Sequence, residues 1–206
     1  MFFNRFARRE TPFQLVVGMT GVKLGDRVIQ VGCAHGGRLA AIAAKVGLSG
    51  RALAVVPDEP SAARAQKASA NAGVLIEVET APPTKLPVDE GTFDLAVLDD
   101  TGGLFSTMRA EDRVLTVREL ARVLRPGGRA MIIGVTPRQG LGALLSRAQS
   151  GPSLAAAGEA TRALEADGFR AARTLAEREG LVFVEGIKPR SGAAEAGRAG
   201  GVTSRT

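Results

Sequence analysis

Arg27-Val28-Ile29-Gln30-Val31-Gly32-Cys33-Ala34-His35-Gly36-Gly37 is a short apolar run that breaks into glycines and opens onto Leu39-Ala40-Ala41-Ile42-Ala43-Ala44. Three β-branched residues in five favour a buried strand, the glycines permit a sharp turn, and the alanines favour a helix. Such a strand, turn and helix open a βαβ unit. The pattern repeats downstream: Arg51–Val56 reads as a second strand, and Pro60 stands where a helix to about Asn71 begins. Val74–Val78 is expected as a third strand and Phe93–Leu98 as a fourth, with a proline-rich loop between them. Glu111–Leu124 has the apolar spacing of an amphipathic helix, which Pro126-Gly127-Gly128 is expected to stop before a fifth strand, Ala130–Val135. Gly140–Ser150 and Ser153–Asp167 read as helices. Phe169–Glu177 and Leu181–Ile187, joined through Glu179-Gly180, read as a closing antiparallel hairpin.

Strand–helix alternation implies an α/β, doubly wound, mostly parallel sheet covered on both faces. The expected organisation is an N-terminal helix and connector over residues 1–25, a domain over 26–187 and a disordered tail over 188–206. In open sheets of this kind ligands sit outside the carboxyl ends of the strands, which puts Gly32–Gly37 at the centre of any site.

Composition removes several alternatives. With one His and one Cys in 206 residues, neither a disulfide framework nor a multi-ligand Cys/His zinc site can be built. No apolar run reaches the length of a membrane span, and the first residues lack the apolar core of a secretory signal, so a reducing, cytoplasmic setting is expected. The net charge of +6 comes mainly from the ends: Arg5, Arg8 and Arg9 at one, Lys188, Arg190, Arg198 and Arg205 at the other. Without Trp or Tyr to stack bases, a nucleic-acid partner is not expected. Phe2, Phe3, Phe6 and Phe13 are half of the eight Phe and lie among those N-terminal arginines. They are expected to form a short amphipathic helix interrupted by Pro12, covering the core or the substrate pocket, with peripheral membrane contact as a further expectation.

Read as G-x-G-x-x-G, the turn has Ala34 at the glycine that admits a pyrophosphate, and Asp58 lies 26 residues beyond Gly32 rather than about 20. A dinucleotide-dependent oxidoreductase is therefore the weaker reading. VIQVGCAHGG from Val28 resembles the first motif of class I S-adenosylmethionine-dependent methyltransferases, commonly V-L-D-V-G-C-G-T-G. LPVDEGTFDLAVL from Leu86 and RELARVLRPGGRAMII from Arg118 are similar to that family's later loop, strands and helix. The likeness is nearest the small-molecule, quinone-biosynthesis-like branch. It implies a Rossmann-like, seven-stranded sheet with an antiparallel closing hairpin. It also implies S-adenosyl-L-methionine as cofactor and methyl transfer to a small or lipophilic acceptor.

The resemblance implies cofactor contacts at Gly32, Cys33, Ala34, Gly36, Asp58, Glu59 and Asp99. His35, Asp99 and Asp100 are the weak candidates for catalysis; at most one of the adjacent aspartates should enter the pocket, since neighbours on a strand point to opposite faces. A solvated or capping aspartate pair is the plainer expectation, Cys33 is expected to be a small buried residue, and Asp94 is expected to fix a strand start. Three positions depart from the family pattern. Gln30, Pro57 and Pro82 stand where acids are usual, with Asp58, Glu59 and Glu79 nearby, so a non-catalytic binding or scaffold protein of the same fold is the alternative.

Overall fold

A computed structural model describes residues 13–136 and 158–190. In chain order the elements are α1 (Gln14–Thr20), β1 (Arg27–Val31), α2 (Gly36–Val46), β2 (Arg51–Val56), α3 (Glu59–Ala72), β3 (Glu77–Thr80), β4 (Phe93–Asp99), α4 (Ala110–Val123), β5 (Leu124–Val135), α5 (Glu159–Ala166), β6 (Arg170–Arg178) and β7 (Leu181–Ile187). The seven strands form one sheet in the order β3-β2-β1-β4-β5-β7-β6. β1 to β5 pair in parallel, and β7 and β6 close the sheet antiparallel. This is the Rossmann-like, mostly parallel α/β architecture that the alternation of strands and helices implies.

The two faces of β1 explain its sequence. Val28 packs with Val16 of α1 and with Ile42 and Val46 of α2, whereas Ile29 and Val31 belong to the layer built on Leu120 and Val123 of α4 and Leu164 of α5. A strand covered on both sides has no polar face, so it reads as a continuous apolar run. Burying each such side chain stabilises the fold by about 1.5–3 kcal/mol. α2 and α3 share a third cluster that includes Leu39, Ala43, Ala62 and Ala65.

Two expectations need correction. β3 begins at Glu77, not Val74. Val74 belongs to the end of α3: Gly73 takes a left-handed conformation, the Val74 N–H donates to Ser69 O, and Ser69 Oγ donates back to Val74 O. β5 runs through Pro126-Gly127-Gly128 instead of starting at Ala130. Leu124 already pairs with Phe93, and the glycines exchange hydrogen bonds with Lys188 beyond β7, so the expected turn is an irregularity inside a strand. The N-terminal helix within the described residues lies beyond Pro12, in Gln14–Thr20, where burial of Val16 outweighs the weak helix propensity of Val16, Val17 and Gly18. The expected helix over the first Phe residues, the helix at Gly140–Ser150, the start of the next one and the tail from Ser191 lie outside the described residues. No described helix is long and apolar enough to cross a membrane.

Candidate active site

β1 is hydrogen-bonded to β2 on one side and β4 on the other, so the chain order reverses at its carboxyl end. A crevice opens at such a switch point, and the glycine turn occupies it. Gly32 has φ +84°, a conformation that favours glycine, and its N–H donates to Val55 O at 2.8 Å. Gln30, buried at the end of β1, donates from Nε2 to Gly32 O at 3.0 Å. Arg64 of α3 donates from Nη1 to Cys33 O at 2.5 Å. The turn is thus clamped from below by its own strand and from the side by the neighbouring helix.

Asp99 ties the turn to the loop that follows β4. Its Oδ2 accepts from Ala34 N at 3.1 Å, while Oδ1 accepts from Thr101 N at 3.2 Å and Thr101 Oγ1 at 2.6 Å. Arg38, in the first turn of α2, donates from Nη2 to Thr101 Oγ1 at 2.6 Å and completes a relay from helix to loop to strand end. The loop folds down on the turn. A Cβ on Gly32 would lie 2.7 Å from Leu104 Cδ2 and 3.1 Å from Asp99 O, and one on Gly102 would lie 3.0 Å from Ala34 Cβ.

Asp100 points the other way. Its Oδ1 accepts from Phe105 N at 2.7 Å and Ser106 N at 2.9 Å, which holds the loop's second turn. Burial pushes its carboxyl above the ordinary aspartate range, against the lowering effect of those N–H groups, and neighbouring Asp99 adds to the rise. Both aspartates are 2% exposed. The pair therefore organises backbone as capping groups do, and neither is solvated.

The remaining candidates are spread around the rim. Cys33 is buried, and burial with the charge of Asp99 raises its thiol to about 11, so it is a packed residue without nucleophilic character. His35 is exposed at the N-terminus of α2, with its ring centroid 5.0 Å from that of Phe13. Gly36 faces α3: a Cβ there would meet Ala68 Cβ at 2.6 Å and Arg64 O at 3.0 Å, so this glycine serves helix packing. Asp58 caps α3, accepting from Ser61 N at 2.8 Å, and hydrogen bonding from the Ser61 side chain, then from its backbone, holds the Asp58 carboxyl below the ordinary range. Glu59 follows it as the first residue of that helix. At the far side of β4, Asp94 accepts from Arg27 N at 2.7 Å and pairs with Arg125, fixing the strand start as expected.

Gln30 Oε1, Arg38 Nε and Asp100 Oδ2 are buried side-chain atoms without a partner among the described residues. All three belong to the carboxyl rim: the end of β1, the start of α2 and the end of β4. The resemblance drew attention to Gln30 only as a missing acid, and Arg38 only the fold could reveal. A cation one turn into a helix that opens on a ligand site was its only sequence signal.

A Rossmann-like sheet with a glycine turn at the switch point, an acid at the end of β4 and a closing hairpin defines a nucleoside-cofactor methyltransferase fold. Residues 28–128 match the family described as "Methyltransferase domain". These residues form a domain of the class I S-adenosylmethionine-dependent methyltransferase kind, whose cofactor is S-adenosyl-L-methionine. An uncharacterized protein of Mycobacterium tuberculosis is 35% identical over 132 residues, covering 64% of this chain and 45% of the relative. The 27-O-demethylrifamycin SV methyltransferase of Amycolatopsis mediterranei is 33% identical over 116 residues, covering 55% of this chain and 40% of that one. The chain thus spans under half the length of these curated relatives. A crystal structure of a SAM dependent methyltransferase from Aquifex aeolicus superposes with a TM-score of 0.67 at 20% identity, covering 86% of this chain and 89% of that one.

Proposed function

We propose that the protein binds S-adenosylmethionine against the Gly32–Gly36 turn and transfers its methyl group to a small or lipophilic acceptor. The observation that carries this reading is the set of partnerless polar atoms at the rim. A buried polar atom without a hydrogen bond costs about 1–3 kcal/mol, so a ligand that satisfies several at once is bound favourably. Arg38 Nε is a donor suited to the methionine carboxylate, and Gln30 Oε1 is an acceptor suited to the ammonium. Gln30 takes over by neutral acceptance what an acid does elsewhere in the family. Asp58 and Glu59, at the mouth of the same crevice beyond β2, are the acids available to ribose hydroxyls.

When bound, the cofactor supplies an activated methyl group on a positively charged sulfur. The chain's own share is to align the acceptor and exclude water. Asp99 holds the turn and the following loop in register, and Leu104 lies over Gly32 as the apolar wall of the crevice. Asp100 is committed to Phe105 N and Ser106 N and positions the loop, so exposed His35 at the start of α2 is the group left to take a proton from an acceptor hydroxyl or amine. The match to a 27-O-demethylrifamycin SV methyltransferase supports a small-molecule acceptor. The test is to incubate the full chain with S-adenosylmethionine and a panel of hydroxylated lipophilic acceptors and follow S-adenosylhomocysteine. Acceptor-dependent product that is lost in Arg38→Ala supports the reading. Cofactor binding without turnover on any acceptor class would make the protein a binding module of the same fold.

A further inference from the structure

The Cys33–Ala34 peptide is held at both of its polar ends by side chains of opposite charge. Its carbonyl, Cys33 O, accepts from Arg64 Nη1 at 2.5 Å, and its N–H, on Ala34, donates to Asp99 Oδ2 at 3.1 Å. A peptide unit has a dipole of about 3.5 D, negative at the oxygen and positive at the N–H. A guanidinium at one end and a carboxylate at the other therefore favour the same orientation of its plane. The residue before it has neutral partners only, since Gly32 N–H donates to Val55 O and Gly32 O accepts from Gln30 Nε2. Both charges thus converge on one peptide, from α3 and from the end of β4, across 31 and 65 residues of chain.

The orientation of that plane fixes where the Ala34 methyl group goes. A Cβ built on Gly102 would lie 3.0 Å from Ala34 Cβ and 3.9 Å from Ala34 Cα, so the methyl points at Gly102. Gly102, unlike Gly103 at φ +81°, has no left-handed backbone that calls for glycine; its missing side chain is what makes room for the methyl. Ala34 stands where the G-x-G-x-x-G pattern has its second glycine, the position at which a ligand approaches the backbone. A methyl group there obstructs that approach unless it is turned aside.

We infer that Arg64 is a positioning residue for the cofactor. With Asp99 it fixes the Cys33–Ala34 peptide so that the Ala34 methyl seats on Gly102, and the turn keeps the open face that a second glycine would provide. The inference rests on the reading that S-adenosylmethionine binds at this turn.

The test is a double-variant cycle on the full chain: the natural sequence, Arg64→Met, Ala34→Gly and the two together. Arg64→Met keeps the apolar stem and removes the donors at an exposed position. Calorimetry gives S-adenosylhomocysteine affinity where all four proteins are folded, and NMR gives Ala34 amide exchange in the unliganded chain. The expected result is binding about fivefold weaker in Arg64→Met, with less than a twofold loss from the same change once Gly replaces Ala34. Gly102→Val, which fills the seat of the methyl, should weaken binding likewise and be rescued by Ala34→Gly. Ala34 exchange should quicken in Arg64→Met beyond any global change. An equal loss in both backgrounds, which a merely structural tie between α3 and the turn would give, overturns the inference, as does affinity that ignores Arg64. Exchange at Ala34 unmoved by Arg64→Met overturns the pinned peptide itself. A natural chain that binds no adenosyl ligand, yet shows the quickened exchange, overturns the cofactor reading and leaves the pinned peptide standing.

Discussion

Replacing Asp99 by Asn changes almost no volume and removes one acceptor from a site that uses both. Oδ2 serves the Ala34 N–H, and Oδ1 serves the N–H and hydroxyl of Thr101. An amide has one oxygen. If it faces Thr101, the new NH2 confronts Ala34 N–H; if it faces Ala34, it confronts the two donors of Thr101. Either way a donor on half-buried Ala34 or Thr101 loses its partner on Asp99, itself 2% exposed, and the surviving bonds lose their charge. Hydrogen bonds to charged groups contribute about 1.5–3 kcal/mol, and an orphaned buried donor costs about 1–3 kcal/mol. Because these describe partly the same loss, the expected destabilisation is about 2–3 kcal/mol. Urea unfolding should show it as a lower midpoint with an unchanged slope. Hydrogen exchange should show faster exchange at Ala34 and Thr101 beyond the global change. An Asp99→Asn protein as stable as the natural one, with Ala34 equally protected, would refute the assignment of Asp99 as the tie between turn and loop.

Glu119 accepts from Arg122 and from Leu86 N, while Arg122 also donates to Leu86 O and Val88 O, so α4 holds the loop before β4. The Arg122 hydrogen bond holds the Glu119 carboxyl below the ordinary range. A depressed folded value means the stabilisation is present above the unfolded value, about 4.3, and is lost as pH falls through the folded one. Glu119→Gln should therefore cost about 1–2 kcal/mol at pH 7, with the gap closing as pH drops below 4 in paired thermal melts. Gly32→Ala and Gly36→Ala should differ in kind. At Gly32 the left-handed backbone, Leu104 and Asp99 O all oppose a methyl group, so both stability and cofactor affinity should fall. At Gly36 the clash is with Ala68 and the Arg64 carbonyl. That should cost about 1–3 kcal/mol of stability and, at temperatures where the variant stays folded, leave cofactor affinity within about threefold. Arg173→Ala should cost less than about 1 kcal/mol by denaturant titration, because Glu185 keeps Arg129, which also donates to Thr20 O and Gly21 O.

Most of the fold was legible because a sheet buried on both faces writes itself as apolar runs. β1, β2, β4 and β7 lie within a residue of expectation for that reason. Exceptions occur where a local signal served another element. Val74 is apolar because it ends a helix, and Pro126-Gly127-Gly128 looks like a stop because those residues sit at a strand irregularity. The site was legible only in outline. The glycine turn and the aspartate pair stood out by type and position, but the division of labour between Asp99 and Asp100 needed the loop that folds over them. Arg38, Thr101 and Leu104 carried no motif; their roles arise from contacts between segments about sixty residues apart, which no local pattern records.

The central claim is that the glycine turn and the partnerless atoms beside it hold S-adenosylmethionine. Calorimetric titration of the full chain with S-adenosylmethionine, S-adenosylhomocysteine and NAD, repeated on Arg38→Ala, tests it most directly. The account predicts one site for the two adenosyl ligands, at least tenfold weaker in Arg38→Ala at temperatures where that variant stays folded, and no binding of NAD. Binding of NAD alone, or adenosyl-ligand affinity that ignores the loss of Arg38, would contradict it.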